Sequence, residues 1–553
     1  MIAYAPLLAC DPPRLYLTHQ QVSCGVGIRH AATVAQLHKP NKAEDFLRFP
    51  SGKLVSSFVV QNWEKKSRLV SGFTTFYAFS LSKRRISLTS LNPSMLIDRY
   101  AQMNLFDSIV PTNAVQMDPE LQQIDHLLDD DSLFQTVKSD LSKRYPQTLC
   151  RGRRSTPVEV ILRMLLLKHL YDWSYDDTEH FVKDSLSLRQ FCRVYLEKVP
   201  DDTVLIRWAQ LITEPTLRAL HEHLVREATR RKMTRGKKLR VDTTVVETNI
   251  HYPTDSSLLQ DSVRVLSGMT KKVSDLAKAA GVHVRDFSRS AKRRALNIVK
   301  FTKGRNDDAK KAAKRAYQEL CEITHRAVHQ TTQLHDALKN NTSRKAQQFV
   351  RQCTFLLPVV DNVLSQTRRR IVHQQDVPAE EKVVSLHEPT TAILRRGKRA
   401  KPTEFGHMVK IQEVDGGIIS DIEVLFTATS DVELLVPSVK KHIAQFGRPP
   451  SHLAGDRGFS SAQNEEQVKQ LLVQYVGLPA KGKLSLERKT HERQRWFRKL
   501  HRFRVGIEAK ISLLKRCFGL RRSLYKGDAG FTRWVYLAII VCNASTIARC
   551  LVL

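Results

Sequence analysis

The sequence predicts an all-α segment followed by an α/β core, a mixed sheet flanked by helices and split by a long helical insertion. Three observations lead there. Residues from about 104 to 235 carry helical periodicity with capping residues at several segment starts. The stretch "KLRVDTTVVETNI" from Lys238 is β-branched and thinly charged, as a buried strand is. Beyond it, helical and strand-like segments alternate from about residue 407 to the end.

Composition bounds the partners. The chain has 553 residues, 42% hydrophobic and 26% charged, enough apolar material for packed cores rather than global disorder. Its 89 Lys and Arg exceed 55 Asp and Glu by 34, and so large an excess self-repels unless a polyanion is the working partner. Nucleic acid is the natural candidate. The nine cysteines form no CxxC pair, so neither a zinc ribbon nor a disulfide framework is indicated, and an intracellular, cytoplasmic setting is expected. The apolar run "WVYLAIIVC", residues 534 to 542, is far shorter than the ~20 residues of a spanning helix and reads as a buried core helix, with no membrane partner. The N-terminus lacks the basic, apolar, small-residue order of a signal peptide.

Residues 1–94 show no sustained period, and we read them as poorly ordered or as a spurious extension upstream of a start at Met95 or Met103. A helical N-terminal domain, expected to bind DNA, spans 104–235. In it "STPVEVILRMLLLKHLYDW" offers Thr156 as N-cap, Pro157 at the first helical position and Glu159 to complete a capping box. Further helices open at Ser174 and at Asp201 or Asp202. The core then runs over 236–553. Its first strand is followed by a polar helical insertion at about 256–380, after which "HMVKIQEV" and "IISDIEVLFT", joined by "DGG", read as a hairpin. "DVELLVPSVKKHIAQFG" reads as a helix, "SHLAGDRGF" as a short strand and turn, "SAQNEEQVKQLLVQ" as a helix and "YVGLPAK" as a strand, with two helices closing the chain. Without the insertion, this is the element order of an RNase-H-like fold.

Three acids stand out. Asp242 lies inside a β-branched strand, where burying a carboxylate is costly without a cation or hydrogen bonds. Asp456 follows "HLAG" at the end of a short strand. Glu508 is the lone acid in "RFRVGIEAKISLLKRCFGLRR"; at about 100° per residue, His501, Arg504 and Lys515 share its helix face, beside an apolar stripe of Phe503, Ile507, Ile511, Leu514 and Phe518. An ordinary i, i+4 pair with Arg504, worth ~0.3 kcal/mol, accounts for Glu508 alone. It does not account for two strand-end acids and a helical one together, a set that supplies the oxygen ligands two hard cations such as Mg²⁺, or Mn²⁺, require beside DNA phosphates.

These blocks resemble the catalytic core of the DDE transposases of bacterial insertion sequences. Asp456-Arg457-Gly458-Phe459 matches the family's D-x-G-Y/F, and Arg504, Glu508 and Lys515 match the R, E and K of Y-x2-R-x3-E-x6-K, with His501 in place of Tyr. Residues 155 to 212 resemble the helical domain that precedes such cores. The resemblance implies an RNase-H-like catalytic domain in which Asp242, Asp456 and Glu508 bind two Mg²⁺. It further implies an enzyme that recognises terminal inverted repeats, nicks double-stranded DNA and joins the freed 3′-hydroxyl to a target, acting as a homodimer or higher oligomer. Arg504, Lys515, His501 and Arg457 are the expected DNA contacts. The alternatives are an RNase-H-like nuclease that cleaves without joining and a catalytically inactive DNA-binding derivative.

Other features are weaker. The basic blocks "KRRALNIVKFTKGR" and "RRGKRAK" are read as DNA contacts. Trp496, Phe497 and Phe503 serve either base stacking or the core. Cys321, His325 and His329 recur every four residues but lack a fourth ligand, so a plain helix face is preferred. Asp255 is an expected N-cap and the reserve acid should Asp242 be misassigned, with Glu247 and Asp261 as further spare acids.

Overall fold

The computed structural model describes residues 96–100, 116–143, 155–395, 402–427 and 429–552, all within the unit Asn92–Leu553. The readings made for residues 1–94, for a start at Met95 or Met103, and for most of "RRGKRAK" lie outside these residues.

The first described helices are α1 (Pro119–Leu127), α2 (Asp131–Ser142), α3 (Val158–Leu170), α4 (Tyr175–Asp184), α5 (Leu186–Phe191), α6 (Asp202–Ala209) and α7 (Glu214–Arg230). Ser174 caps α4 in a capping box with Asp177, and Asp201 caps α6. The start of α3 departs from expectation. Pro157 is its N-cap and no side chain caps it. Instead the amides of Val158 and Glu159 donate to the carbonyls of Ile97 and Asp98, at 3.0 and 3.2 Å, so a distant segment satisfies the first turn. Glu159 is thereby released from capping and lies buried against Arg163 at 2.9 Å and Arg99 at 2.7 Å.

Strand β1 (Lys238–Thr248) is the spine of the sheet. After it come α8 (Asp255–Lys272), α9 (Ser274–Ala279), α10 (Ser288–Phe301), α11 (Asp307–Leu338) and α12 (Arg344–Thr367), which pack on one another around two apolar clusters of their own. Thr254, not Asp255, caps α8; Asp255 enters the first turn and pairs with Arg370 at 2.7 Å.

The chain returns to the sheet through β2 (Ala392–Leu394), β3 (Glu404–Val414) and β4 (Ile419–Leu425). The β3–β4 hairpin forms at "DGG", with Gly416 and Gly417 at φ of 82° and 73°, a conformation that favours glycine. Next are α13 (Asp431–Phe446), β5 (His452–Gly455), α14 (Ala462–Gln470) and β6 (Tyr475–Gly477). Three helices close the chain rather than two: α15 (Leu486–Arg493), α16 (Arg495–Cys517) and, after the two-residue strand β7 (Arg522–Ser523), α17 (Gly527–Val552).

The sheet order is β2-β3-β1-β5-β6, with β4 also on β3 and β7 also on β1. β3 runs antiparallel to β1, whereas β5 runs parallel to β1 and β6 parallel to β5, which makes the sheet mixed. Helix α17 is long and apolar enough by composition to cross a membrane, yet 72% of its most apolar window is buried against the rest of the fold, as a core helix is. Its Asn543 reaches the hairpin, accepting from the Ile419 amide at 3.0 Å and donating to the Ile419 carbonyl at 2.8 Å.

Candidate active site

The strand register places two of the expected acids beside one another. β1 and β5 pair in parallel up to Val241 and Gly455, and the next residues along are Asp242 and Asp456. Adjacent strands lie ~4.8 Å apart, so the two carboxylates leave neighbouring positions where β5 ends. Both are half-buried. Asp242 accepts from the Thr243 amide at 2.7 Å, and Asp456 caps the short turn Arg457–Phe459 by accepting from the Arg457 amide.

Helix α16 crosses this face. Arg240, two residues before Asp242 and therefore on the same side of the strand, donates to the carbonyl of Phe503. Further along, Lys515 donates to the Val245 carbonyl at 2.7 Å. The helix thus runs with β1, and Glu508 falls between these two anchor points. The apolar stripe holds it down, with Ile507, Leu514 and Phe518 buried. Glu508 itself is 58% exposed and pairs with Arg504 at 2.9 Å.

The structure therefore brings Asp242 and Asp456 together and sets Glu508 on the helix over the same face, but it does not gather all three. Among the described residues no group of three His, Cys, Asp or Glu side chains is placed to hold a metal ion. A carboxylate four residues from a guanidinium on one helix face pairs with it readily, and Glu508 does so. The donor chemistry nonetheless suits Mg²⁺, which is held by one or two carboxylates plus substrate phosphates rather than by a dedicated protein cage.

The expected DNA contacts divide. Lys515 and Arg504 are engaged within the protein, on the Val245 carbonyl and Glu508 respectively. Arg457 and His501 are exposed and, with Arg498 and Arg502, line an open cleft of about 370 Å³ next to Asp456. Glu492 shares that cleft but already accepts from Arg488 at 3.1 Å and from the Ala480 amide at 3.0 Å. The basic surroundings also reach β5: burial lowers the His452 pKa, and Lys238 and Lys499 lower it further.

The spare acids are used elsewhere. Glu247 pairs with Arg522, Asp261 with Arg264, and Asp255 with Arg370. Cys321 is buried on α11 and forms no metal group with His325 and His329. Of the aromatics, Phe497 is buried and Phe503 lies under the Arg240 guanidinium, 4.6 Å from its ring, so both belong to the packing of α16. The "KRRALNIVKFTKGR" block is largely exposed on and after α10.

Sequence reasoning missed the lock that fixes α16 to β1. Arg240 forms a two-point pair with fully buried Glu413, at 2.8 and 2.6 Å, and Gly506 leaves room for its guanidinium, which a Cβ there would overlap. The signal was present as a glycine in mid-helix, where helix propensity alone disfavours it.

Two family models match the chain, a Transposase domain (DUF772) over residues 108–211 and a Transposase DDE domain over residues 416–544. The chain thus carries two transposase domains, the second of the DDE type. The DDE match takes in both Asp456 and Glu508 of this transposase, while Asp242 lies between the two matched stretches. No curated protein and no solved structure matches it. A transposase DDE domain suggests a DNA-cutting and DNA-transferring enzyme, which implies DNA as the partner.

Proposed function

We propose that this transposase binds the terminal inverted repeats of its element and catalyses Mg²⁺-dependent DNA cleavage and strand transfer, with Asp242, Asp456 and Glu508 as the metal-binding carboxylates. The observation that carries the reading is the placement of Asp242 and Asp456 just past Val241 and Gly455 on parallel neighbours, under the helix that bears Glu508. The mixed sheet with β1 at its centre supports an RNase-H-like core over 236–553, with α8 to α12 as its insertion. The helices before β1 form a DNA-binding domain, and the enzyme works as a homodimer or higher oligomer on paired ends in the bacterial cytoplasm, at the nucleoid.

Asp242, Asp456 and Glu508 would hold Mg²⁺, which would supply activation of the attacking water or 3′-hydroxyl and stabilisation of the leaving oxygen. The protein's own residues supply the rest. Asp242 is oriented by the Thr243 amide and Asp456 by the Arg457 amide, so both carboxylates are fixed before substrate arrives. Arg457 and His501 grip phosphates from the cleft. Arg504, which holds Glu508 in this structure, would be freed for a DNA phosphate if Glu508 served as a metal ligand, and Lys515 keeps α16 in register with β1.

Incubation of the purified protein with Mg²⁺ and a duplex carrying the element's end tests this: strand-joined products are expected. Cleavage without joining would make the protein a nuclease. The pairing of Glu508 with Arg504 favours one second reading, a transposase-derived binder, for which the same assay gives a mobility shift and no cut strand.

A further inference from the structure

A fourth acid ties the middle of β1 to the end of β5 from the other side of the sheet. Thr243 alternates with Asp242 along β1, so its side chain leaves on the face opposite α16. Thr243 is buried, and its hydroxyl donates to Oδ1 of Asp431, the first residue of α13, at 3.0 Å. The other carboxylate oxygen lies against Gly458, where an added Cβ would sit 2.5 Å from Oδ2. Gly458 is inside the turn that Asp456 caps, two residues beyond it. Buried Asn464 reinforces the link, since its Nδ2 donates to the carbonyls of Val432, at 2.8 Å, and Phe459, at 2.9 Å. One carboxylate therefore holds β1 through Thr243 and presses on the Asp456 turn through Gly458.

We propose that Asp431 is a positioning residue that sets the separation of the Asp242 and Asp456 carboxylates and thereby their joint affinity for a divalent cation. The inference rests on the reading of those two acids as a cation-binding pair. Its physical basis is that two carboxylates on neighbouring strands share one ion only over a narrow range of separations, and each hangs from backbone that Asp431 touches. Asp431 acts on geometry, not as a ligand, because its two oxygens are turned to Thr243 and Gly458 on the far face. The glycine of the D-x-G-F block is then required by the approach of this carboxylate, since a side chain at 458 would expel it.

Calorimetric titration of the full chain with Mn²⁺, without DNA and at a temperature where every variant is folded by circular dichroism, reads this directly. Asp431→Ala and Thr243→Val are each expected to weaken Mn²⁺ binding about tenfold, in the range that loss of a ligand-orienting contact produces. Thr243→Val changes no charge, so its effect separates geometry from the loss of a nearby anion. Asp431→Asn, whose amide oxygen still accepts from Thr243, should keep binding within about threefold of wild type. Wild-type affinity in both Asp431→Ala and Thr243→Val, alongside lost affinity in Asp242→Ala, would overturn the positioning role and leave the cation pair standing. Unchanged affinity in Asp242→Ala would instead remove the cation pair, and the positioning role with it.

Discussion

Substituting Gly506 by Ala sets two effects of opposite sign against each other. Helix propensity alone makes Ala more stable than Gly in a helix interior by ~0.8–1 kcal/mol. The structure gives the reverse. A Cβ at 506 would overlap the Arg240 guanidinium, with its central carbon only 3.1 Å away. The far end of an arginine ordinarily swings aside at little cost, but this one is pinned by Glu413 at 2.8 and 2.6 Å, by the Phe503 carbonyl, and by the Phe503 ring. Overpacking of a fixed group costs ~1–3 kcal/mol. Taking ~2–3 kcal/mol for a group held at four points and subtracting the propensity gain leaves Gly506→Ala destabilised by ~1–2 kcal/mol. Thermal melting followed by circular dichroism should show a lowered midpoint. In an Arg240→Met, Glu413→Gln background, which removes the guanidinium and the charge it neutralises, the same glycine change should raise the midpoint instead. A raised midpoint for Gly506→Ala in the wild-type background would refute the lock between α16 and β1.

Arg163 is fully buried against Asp125 and Glu159, which keep Arg193 and Arg99 as further partners, so Arg163→Met should cost ~1–3 kcal/mol in urea denaturation; a stability equal to wild type would contradict the ion cluster. Burial lowers the pKa values of His169, His221 and His407, and lowers that of His442 to about 4. Because these imidazoles titrate near 6.5 when unfolded, the unfolded chain binds more protons between about pH 4 and 6.5, and stability should fall as pH drops through that window. His442 alone accounts for a loss on the order of 3 kcal/mol by pH 4, so His442→Gln should flatten the curve of melting midpoint against pH, and an unchanged slope would contradict its neutral burial. If the cleft beside Asp456 seats DNA phosphates, Arg498→Gln and Arg502→Gln should each reduce the slope of log affinity against log salt by about 0.9, without altering sequence preference. Slopes equal to wild type would place the DNA elsewhere.

The strands, the hairpin and the helical insertion were legible because each is specified locally: β-branched runs, a DGG turn, and polar helices with their own caps. The start of α3 was not, since Thr156-x-x-Glu159 is a sound capping box by sequence and loses only because the Ile97 and Asp98 carbonyls reach the same amides from sixty residues away. Strands β2 and β7 are three and two residues long, too short for a period to register, and exist through pairing with β3 and β1. At the candidate site, spacing on one helix and position at strand ends exposed Asp456, Glu508 and Arg504. Asp431 and Glu413 looked like a helix-start acid and a strand acid, because what distinguishes them is a partner on another element: Thr243 and Gly458 for the first, Arg240 for the second. Lys515 shares Glu508's helix face by periodicity, but periodicity does not reveal that a backbone carbonyl of β1 waits within its reach.

The central claim, that Asp242, Asp456 and Glu508 together carry out Mg²⁺-dependent cleavage of DNA, is tested most directly by one gel. Wild type and the variants Asp242→Asn, Asp456→Asn and Glu508→Gln are incubated with Mg²⁺ and a labelled duplex bearing the element's end, with binding read from mobility shift in the same samples. Each variant is expected to shift the duplex still, while its cleavage falls by about a hundred- to a thousandfold, as loss of an electrostatic contact to the reacting centre does. Cleavage at the wild-type rate by any one of the three would contradict it.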